Sequence, residues 1–426
     1  MLIGESSMED VGIRFQSCIG VISILFFSWL LSESRKNVLI SRVLKQLTIV
    51  FIFAVLLITM PQVKEVFFYL NKFVQHLQVA TEFGTSFVFG YLGGADLPFM
   101  ENQVGTSFVF AFKALPIILV VSAISSILIY LGVLQKVIRL ISLLLRKFAG
   151  LEGSVGIAAA ANVFVGMIEA PLLIKPYLKT ISRGGLFALM TTGLSTIAGT
   201  VYILYISILS STIKDAILHL SIASFLSCLT GILISLILVP IRKCDHGGES
   251  LVNIRRQDSL MMAVFDGIST GLNVLMNVIA TLIVFLALVY LVNSLLSLIP
   301  LGENVTLSLQ LLLGFVLAPI MWACGIPWEE AITAGGLMGT KVVFNELMAF
   351  VSLAAVDEAL FSDRSRIICL YAICGFANFG SLAILVGGLT TIVPERKTEI
   401  LALSLKSLFA GCLATLLTAS VVGVII

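Results

Sequence analysis

The chain has 426 residues, of which 59% are hydrophobic and only 12% charged, and its net charge is +2. Soluble domains carry about 25% charged residues, so this composition excludes a string of soluble domains and requires a polytopic membrane protein. The balanced charge suggests no nucleic-acid partner; what informs is where the charges sit.

The first apolar run, 12–31, follows Glu5, Glu9 and Asp10 and precedes Arg35 and Lys36. A signal peptide has a basic front and a small-residue cleavage site, so this is read as a retained helix entering from outside. Runs of ~20 apolar residues, the length needed to span a bilayer, recur at 42–60, 114–134, 186–210, 218–240, 272–299, 367–390 and 400–425. That makes about eight transmembrane helices. Between the second and third lies a mixed stretch, 61–113, whose amphipathic part, 63–79, is assigned to the membrane interface. Basic residues are enriched in cytoplasmic loops. Arg35, Lys36, Arg42 and Lys45; Lys136, Arg139, Arg146 and Lys147; Arg242, Lys243, Arg255 and Arg256; and Arg396 with Lys397 all fall on one side if both termini are outside. Arg364 and Arg366 run against the scheme.

Two segments, 153–183 and 306–353, are apolar but broken by Gly, Pro and acidic residues. For the loop charges to alternate, each must enter and leave on one side. Both are therefore expected to be re-entrant helical hairpins, the first from inside and the second from outside, since irregular backbone at that depth needs cover from protein or a water-filled cavity. The halves then match in order. A hairpin with Glu169, a helix interrupted at 193–199 and a plain helix are followed by a hairpin with Glu346, a helix interrupted at 375–381 and a plain helix. The second set starts on the opposite side, as in an inverted repeat whose broken helices form a midplane site. The expected organisation is 1–113, N-terminal helices and interfacial segment; 114–152, scaffold helix and cytoplasmic loop; 153–241, first repeat; 242–300, loop and scaffold helix; and 301–426, second repeat.

Glu169 stands in an apolar hairpin where a carboxylate costs ~2.5–3.5 kcal/mol on insertion scales. It should face a cavity or a partner; a structural pair with Lys175 is the plainer alternative. Glu346 follows Lys341 and Asn345, and a spacing of five is poor helical geometry for a Lys–Glu pair. Asn378 and Ser381, three apart, would share a helix face. An amide with a hydroxyl can read a polyol, although Ser and Asn also serve helix packing. Phe376 and Phe379 are read as packing residues, either of which could face a ring. The seven cysteines form no CxxC pair and read as small hydrophobes. His76, His219 and His246 make no metal-ligand pattern. The residues alone describe a transporter with an acidic, hydroxyl-rich midplane site for a neutral polar solute.

At these motifs the chain resembles the concentrative nucleoside transporter family, over most of its length from about Ala114. Gly-Thr-Lys-Val-Val-Phe-Asn-Glu (339–346), Cys-Gly-Phe-Ala-Asn-Phe-Gly-Ser (374–381) and Glu-Ala-Pro-Leu-Leu (169–173) look like its signature motifs. The resemblance implies a trimer with two hairpins and interrupted helices. It implies that Glu346, Asn378 and Ser381 bind ribose hydroxyls, that Phe376 lies near the nucleoside, and that Glu169 lies near the base. For a coupling sodium it implies side-chain oxygens from Asn162 and Thr196 and backbone carbonyls from Val165 and Ile197. The family's first hairpin usually reads Gly-Gln-Thr-Glu, whereas here it reads Gly166-Met167-Ile168-Glu169. Met167 and Ile168 offer apolar contact only, so altered base recognition is expected with sugar recognition kept.

The function expected is ion-coupled nucleoside import by alternating access, with sodium favoured over protons as the coupling ion and no cofactor. A homotrimer in a cell membrane, a bacterial inner one, is the expected setting. A passive channel, or a nucleoside sensor without coupling, is the first alternative. An intramembrane enzyme is the second; it would need a nucleophile–base pair or HExxH, and the chain has no HExxH.

Overall fold

The computed structural model describes residues 2–99, 109–149, 153–162, 166, 167, 169–210, 212–240, 259–298, 307–357 and 359–426. Among them every regular element is helical. In chain order these are α1 (Leu2–Leu30), α2 (Ile40–Thr59), α3 (Pro61–Phe89), α4 (Phe110–Lys113), α5 (Ile117–Tyr130), α6 (Val133–Ala149), α7 (Gly153–Asn162), α8 (Glu169–Leu173), α9 (Arg183–Ser195) and α10 (Gly199–Leu209). Then follow α11 (Ala216–Leu238), α12 (Leu260–Leu296), α13 (Leu309–Ala323), α14 (Trp328–Val343), α15 (Glu346–Ala354), α16 (Asp363–Ile373), α17 (Phe379–Ile392) and α18 (Lys397–Ile425).

Among the described residues, six stretches are long and apolar enough to cross a membrane: Gly12–Leu30, Ile40–Thr59, Phe110–Tyr130, Ala216–Leu238, Leu260–Leu296 and Pro394–Ile425. The other two expected spans, 186–210 and 367–390, are each split, into α9–α10 and α16–α17. The first break, 196–198, falls within the expected 193–199; the second, 374–378, begins one residue before the expected 375–381 and ends three residues earlier. Helical geometry persists through Ser195 on one side and resumes at Phe379 on the other. Polar caps mark the restarts of α15 and α17, whereas α10 restarts after Ala198 without a side-chain cap. Asn345 and Asn378 accept the N–H groups of Met348 and Ser381 at 2.8 and 2.7 Å, satisfying first-turn donors that have no partner within the helix.

The segment 306–353 contains two breaks. α13 and α14 meet at a bend of 117°, and α14 ends at Val343, just before α15 begins. Ser362, the cap of α16, donates through N and Oγ to Glu330 Oε2 at 3.2 and 3.0 Å. The start of α14 therefore lies beside the start of α16, and the Phe344–Asn345 turn lies at the far end of α14. The stretch after the third span, expected as a loop, is instead the helix α6, and the amphipathic stretch 63–79 is part of the longer helix α3.

Polar contacts sort the elements between two ends. Arg183 and Lys406 bind Glu33 at 3.0 and 2.8 Å, Lys179 pairs with Glu395, and Arg396 donates to Leu178 O and Ile181 O at 2.9 and 2.8 Å. This gathers the end of α1 and the starts of α9 and α18. At the opposite end of α1, Arg14 donates to Ile426 O at 3.0 Å, and Gln16 reaches Trp322 O and Ile326 O. There Arg364 donates to Gly423 O at 2.7 Å. Thus α9 starts at one end and α16 at the other. The two arginines that ran against the charge rule also find their reason. Arg364 serves carbonyls, and Arg366, buried, donates to Leu353 O and Val356 O at 3.3 and 2.7 Å. They satisfy helix-end carbonyls.

The core is built on α11 and α18, buried over 89% and 78% of their spanning windows, whereas α12 is buried over only 12%. α12 lies on the outside of the core and packs on α5 through Gly267 and Gly271; a β-carbon on Gly267 would stand 2.6 Å from Ala123 Cα.

Candidate functional site

The two broken helices meet at their breaks. Phe376 N–H donates to Thr196 O at 3.2 Å. Gly375, at φ +157°, is so close to the end of α9 that a β-carbon would lie 2.6 Å from Ser195 O. Only glycine fits, because it has no β-carbon to clash.

Glu346 lies beside this crossing as the first residue of α15, and it is buried. Tyr205 of α10 donates to its Oε1 at 2.6 Å, and Asn378 Nδ2 donates to its Oε2 at 2.9 Å. One carboxylate thus joins three elements. An ionised carboxylate offers about four lone-pair sites, so two bonds leave it able to accept from two further hydroxyls. Asn378 is more fully engaged than a free helix-face amide. Its nitrogen serves Glu346 and its oxygen accepts Ser381 N–H, so it orients the carboxylate and caps α17. Asn378 keeps a second N–H and a second lone pair, and it lines the cavity together with Ser381. Tyr205 was not singled out in the sequence; nothing in an apolar helix distinguishes one tyrosine until Glu346 is placed against it.

These groups open onto a cavity of about 580 Å³, within the 300–1,000 Å³ common for small-molecule sites. Glu346, Asn345, Asn378, Ser381 and Phe376 line one side, with Met167, Ala198, Val201 and Ile384 contributing apolar wall and Thr270, Asn273 and Asn277 of α12 facing in. Phe376 and Met167 share the cavity with Glu346; Phe379 is exposed and is not part of its lining. Lys341 is buried with its Nζ 3.3 Å from Thr415 Oγ1.

The expected ion ligands gather partly. Asn162, buried at the end of α7, has neither amide atom hydrogen-bonded. Its Nδ2 lies 3.2 Å from where a β-carbon on Gly193 would stand, against the last turn of α9. Thr196 and Ile197, both buried, occupy the break just beyond. The Thr196 hydroxyl donates to Thr192 O at 2.9 Å, leaving its lone pairs free. A buried, unpaired amide oxygen, with the unwound backbone of 196–198 following the helix turn that Asn162 packs against, offers oxygen donors of the kind a hard cation takes. The positions Val165 and Ile168 lie outside the described residues. Glu169 opens α8, and its side chain also lies outside the description. No cluster of three or more His, Cys, Asp or Glu suited to a metal occurs among the described residues.

Residues 19–92 and 219–423 match the models of the N- and C-terminal parts of the Na+ dependent nucleoside transporters, and 111–212 match a model described as nucleoside recognition. An uncharacterized transporter of Bacillus subtilis is 34% identical over 96% of this chain and 98% of its own. The nucleoside permease of Helicobacter pylori is 32% identical over 96% and 97%. The chain belongs to the concentrative nucleoside transporter family.

Two solved structures of another such transporter, CNTnw, agree with this fold. An inward-facing, substrate-bound form superposes with a TM-score of 0.86 at 32% identity over 96% of this chain and 98% of that one. An outward-facing variant gives 0.89 at 31% identity over 97% of each. A family whose members move nucleosides with sodium makes this chain a multi-pass membrane transporter and not an enzyme.

Proposed function

We propose that the chain imports nucleosides by sodium-coupled alternating access, and that the carboxylate of Glu346, held by Tyr205 and Asn378 where two broken helices cross, binds the ribose. The observation that carries this is the bonded cluster itself: a buried carboxylate, oriented by two donors, with unused lone pairs facing a cavity of nucleoside size. Ser381 adds a hydroxyl, Phe376 a ring against the nucleoside, and Glu169 a group near the base. Met167 and Ile168 make that end of the pocket apolar and shift base preference. Asn162 and Thr196, with carbonyls at Val165 and Ile197, hold the sodium. Its binding between α7 and α9 ties the first half of the site to the break that carries Phe376, so ion and nucleoside order the same crossing.

In this reading 153–241 and 301–426 are inverted repeats whose hairpins re-enter the membrane from opposite faces, and they move against a scaffold of α5 and α12. The exposed apolar side of α12, with Phe265, Leu272 and Ile283, forms the contact of a homotrimer in a bacterial inner membrane. Uptake by proteoliposomes under a sodium gradient or a proton gradient, imposed separately, tests the coupling. Sodium-driven accumulation supports it; accumulation under the proton gradient alone, or mere equilibration as through a channel, overturns it. Glu346→Gln should lower uptake more than 100-fold while the protein still elutes as a folded species, and unchanged uptake would remove Glu346 from the site. Met167→Gln with Ile168→Thr should change the order of preferred bases.

A further inference from the structure

The cavity has two polar walls, and hydrogen bonds within the protein orient the first of them. On the first wall, Asn378 uses both amide atoms on Glu346 and Ser381, and Asn345 Oδ1 accepts Met348 N–H. The facing wall is α12. Thr270, Asn273 and Asn277 line the cavity together with Val274 and Val278, at spacings that place all five on one helical face. Asn273 and Asn277 are exposed and make no hydrogen bond within the described chain. Asn293, farther along the same helix, behaves differently: it donates to Gln310 Oε1 at 3.1 Å and accepts Leu309 N–H at 2.8 Å. One asparagine of this helix is structural, and the two that face the cavity keep their donors and acceptors unused.

An asparagine in an apolar spanning helix normally bonds across to a neighbouring helix, because an unpaired amide at that depth is costly. These two face a cavity large enough for a solute. We propose that Asn273 and Asn277 are specificity-determining residues that hydrogen-bond the edge of the nucleobase while Glu346 holds the ribose. This rests on the nucleoside-transport reading above. An amide presents one acceptor and two donors and so matches the adjacent donor and acceptor on a base edge, as in amide–adenine pairing. Lying one turn apart, with β-carbons about 6 Å from each other, the two amides can contact one ring system. The apolar wall at Met167, Ala198 and Val201 gives the ring's faces contact but no polar reading, so the α12 amides add edge contacts to the one that Glu169 supplies. α12 is anchored to α5 by its close-packed glycines, so these contacts belong to the fixed part of the protein and are made only when the site faces them.

Uptake with a nucleoside panel tests the assignment. Asn273→Ala combined with Asn277→Ala should compress the ratio of kcat/KM between best and worst substrate at least tenfold, through a raised KM with the maximal rate kept. The unsubstituted purine riboside, which lacks an exocyclic group, should be affected least. The single changes Asn273→Gln and Asn277→Gln should reorder preference and not erase it. A charged methanethiosulfonate should modify Asn277→Cys more slowly when nucleoside is saturating, whereas Leu360→Cys, exposed in the turn before α16 and away from the cavity, should react at an unchanged rate. An unaltered substrate ratio, or nucleoside failing to protect Asn277→Cys, overturns the proposal. So does loss of the oligomer on gel filtration with selectivity intact, which would place the amides at a seam between copies. If the unsubstituted protein takes up no nucleoside at all, the transport reading fails instead, and the two failures are told apart by that control.

Discussion

Tyr205 shows what a single hydroxyl contributes to the site. Its 2.6 Å bond to Glu346 is made to a charged group, the class of hydrogen bond that contributes about 1.5–3 kcal/mol. Tyr205→Phe removes only that oxygen and keeps the ring against Phe350, 5.0 Å away. At about 1.4 kcal/mol per tenfold, nucleoside kcat/KM should fall roughly 10- to 100-fold, with folding unaffected; a concentration series of uptake measures it. Asn162 makes a different demand. Both of its amide atoms are buried and unpaired, an arrangement that carries a desolvation cost unless a ligand completes it. Asn162→Ala should raise the sodium concentration for half-maximal uptake at least tenfold, with nucleoside affinity little changed at saturating sodium. The same fall in nucleoside affinity at every sodium concentration would remove Asn162 from the ion site.

The interrupted helices are where sequence and structure agree most closely, and the reason is chemical. Glycines, an asparagine and a serine in an otherwise apolar run leave the backbone without helical partners, and Asn378 marks the restart because its side chain supplies one. The same chemistry operates just before Glu346, where Asn345 is the matching cap of α15. Pairings across the chain were not legible in this way. Tyr205 meets Glu346 over 141 residues, and Asn273 and Asn277 enter the cavity from a helix that reads in sequence as plain membrane span. Local chemistry marks where a helix stops; it does not say what the stop faces. Nor did charge counting show that Arg364 and Arg366 are occupied by carbonyls. The contact between the breaks gives a test at this scale. Gly375→Ala introduces a carbon 2.6 Å from Ser195 O at a backbone angle that disfavours side chains, and overpacking of this kind costs about 1–3 kcal/mol. The variant should melt at lower temperature in detergent, and its uptake should fall more than its folded yield, because the shift falls on the crossing that aligns Phe376 with Thr196.

For the molecule as a whole, the two ends differ in what binds them. One end is held by the network of Glu33, Arg183, Lys406, Arg396 and Glu399. Partial burial pushes the Glu33 carboxyl up, but the hydrogen bonds and charges of Arg183 and Lys406 outweigh it and hold the group below its usual value of 4.5. A carboxyl lowered in the folded state adds stability that is present above its unfolded value and lost as pH falls through the folded one. The melting temperature should therefore drop as pH is taken below about 4.5, and Glu33→Gln should flatten that drop. Transport makes the larger demand on the same architecture. If each cycle carries one net charge inward with a neutral nucleoside, a potential of 100 mV supplies ~2.3 kcal/mol, or roughly fifty-fold accumulation, without any sodium concentration difference. Proteoliposomes with equal sodium on both sides and an imposed inside-negative potential should concentrate nucleoside toward that limit, and reversing the potential should empty them. Glu346→Gln should show neither response. Accumulation that ignores the sign of the potential would mean that the cation enters with a compensating charge, and the neutral-solute stoichiometry read from Glu346 and Asn162 would have to be redrawn.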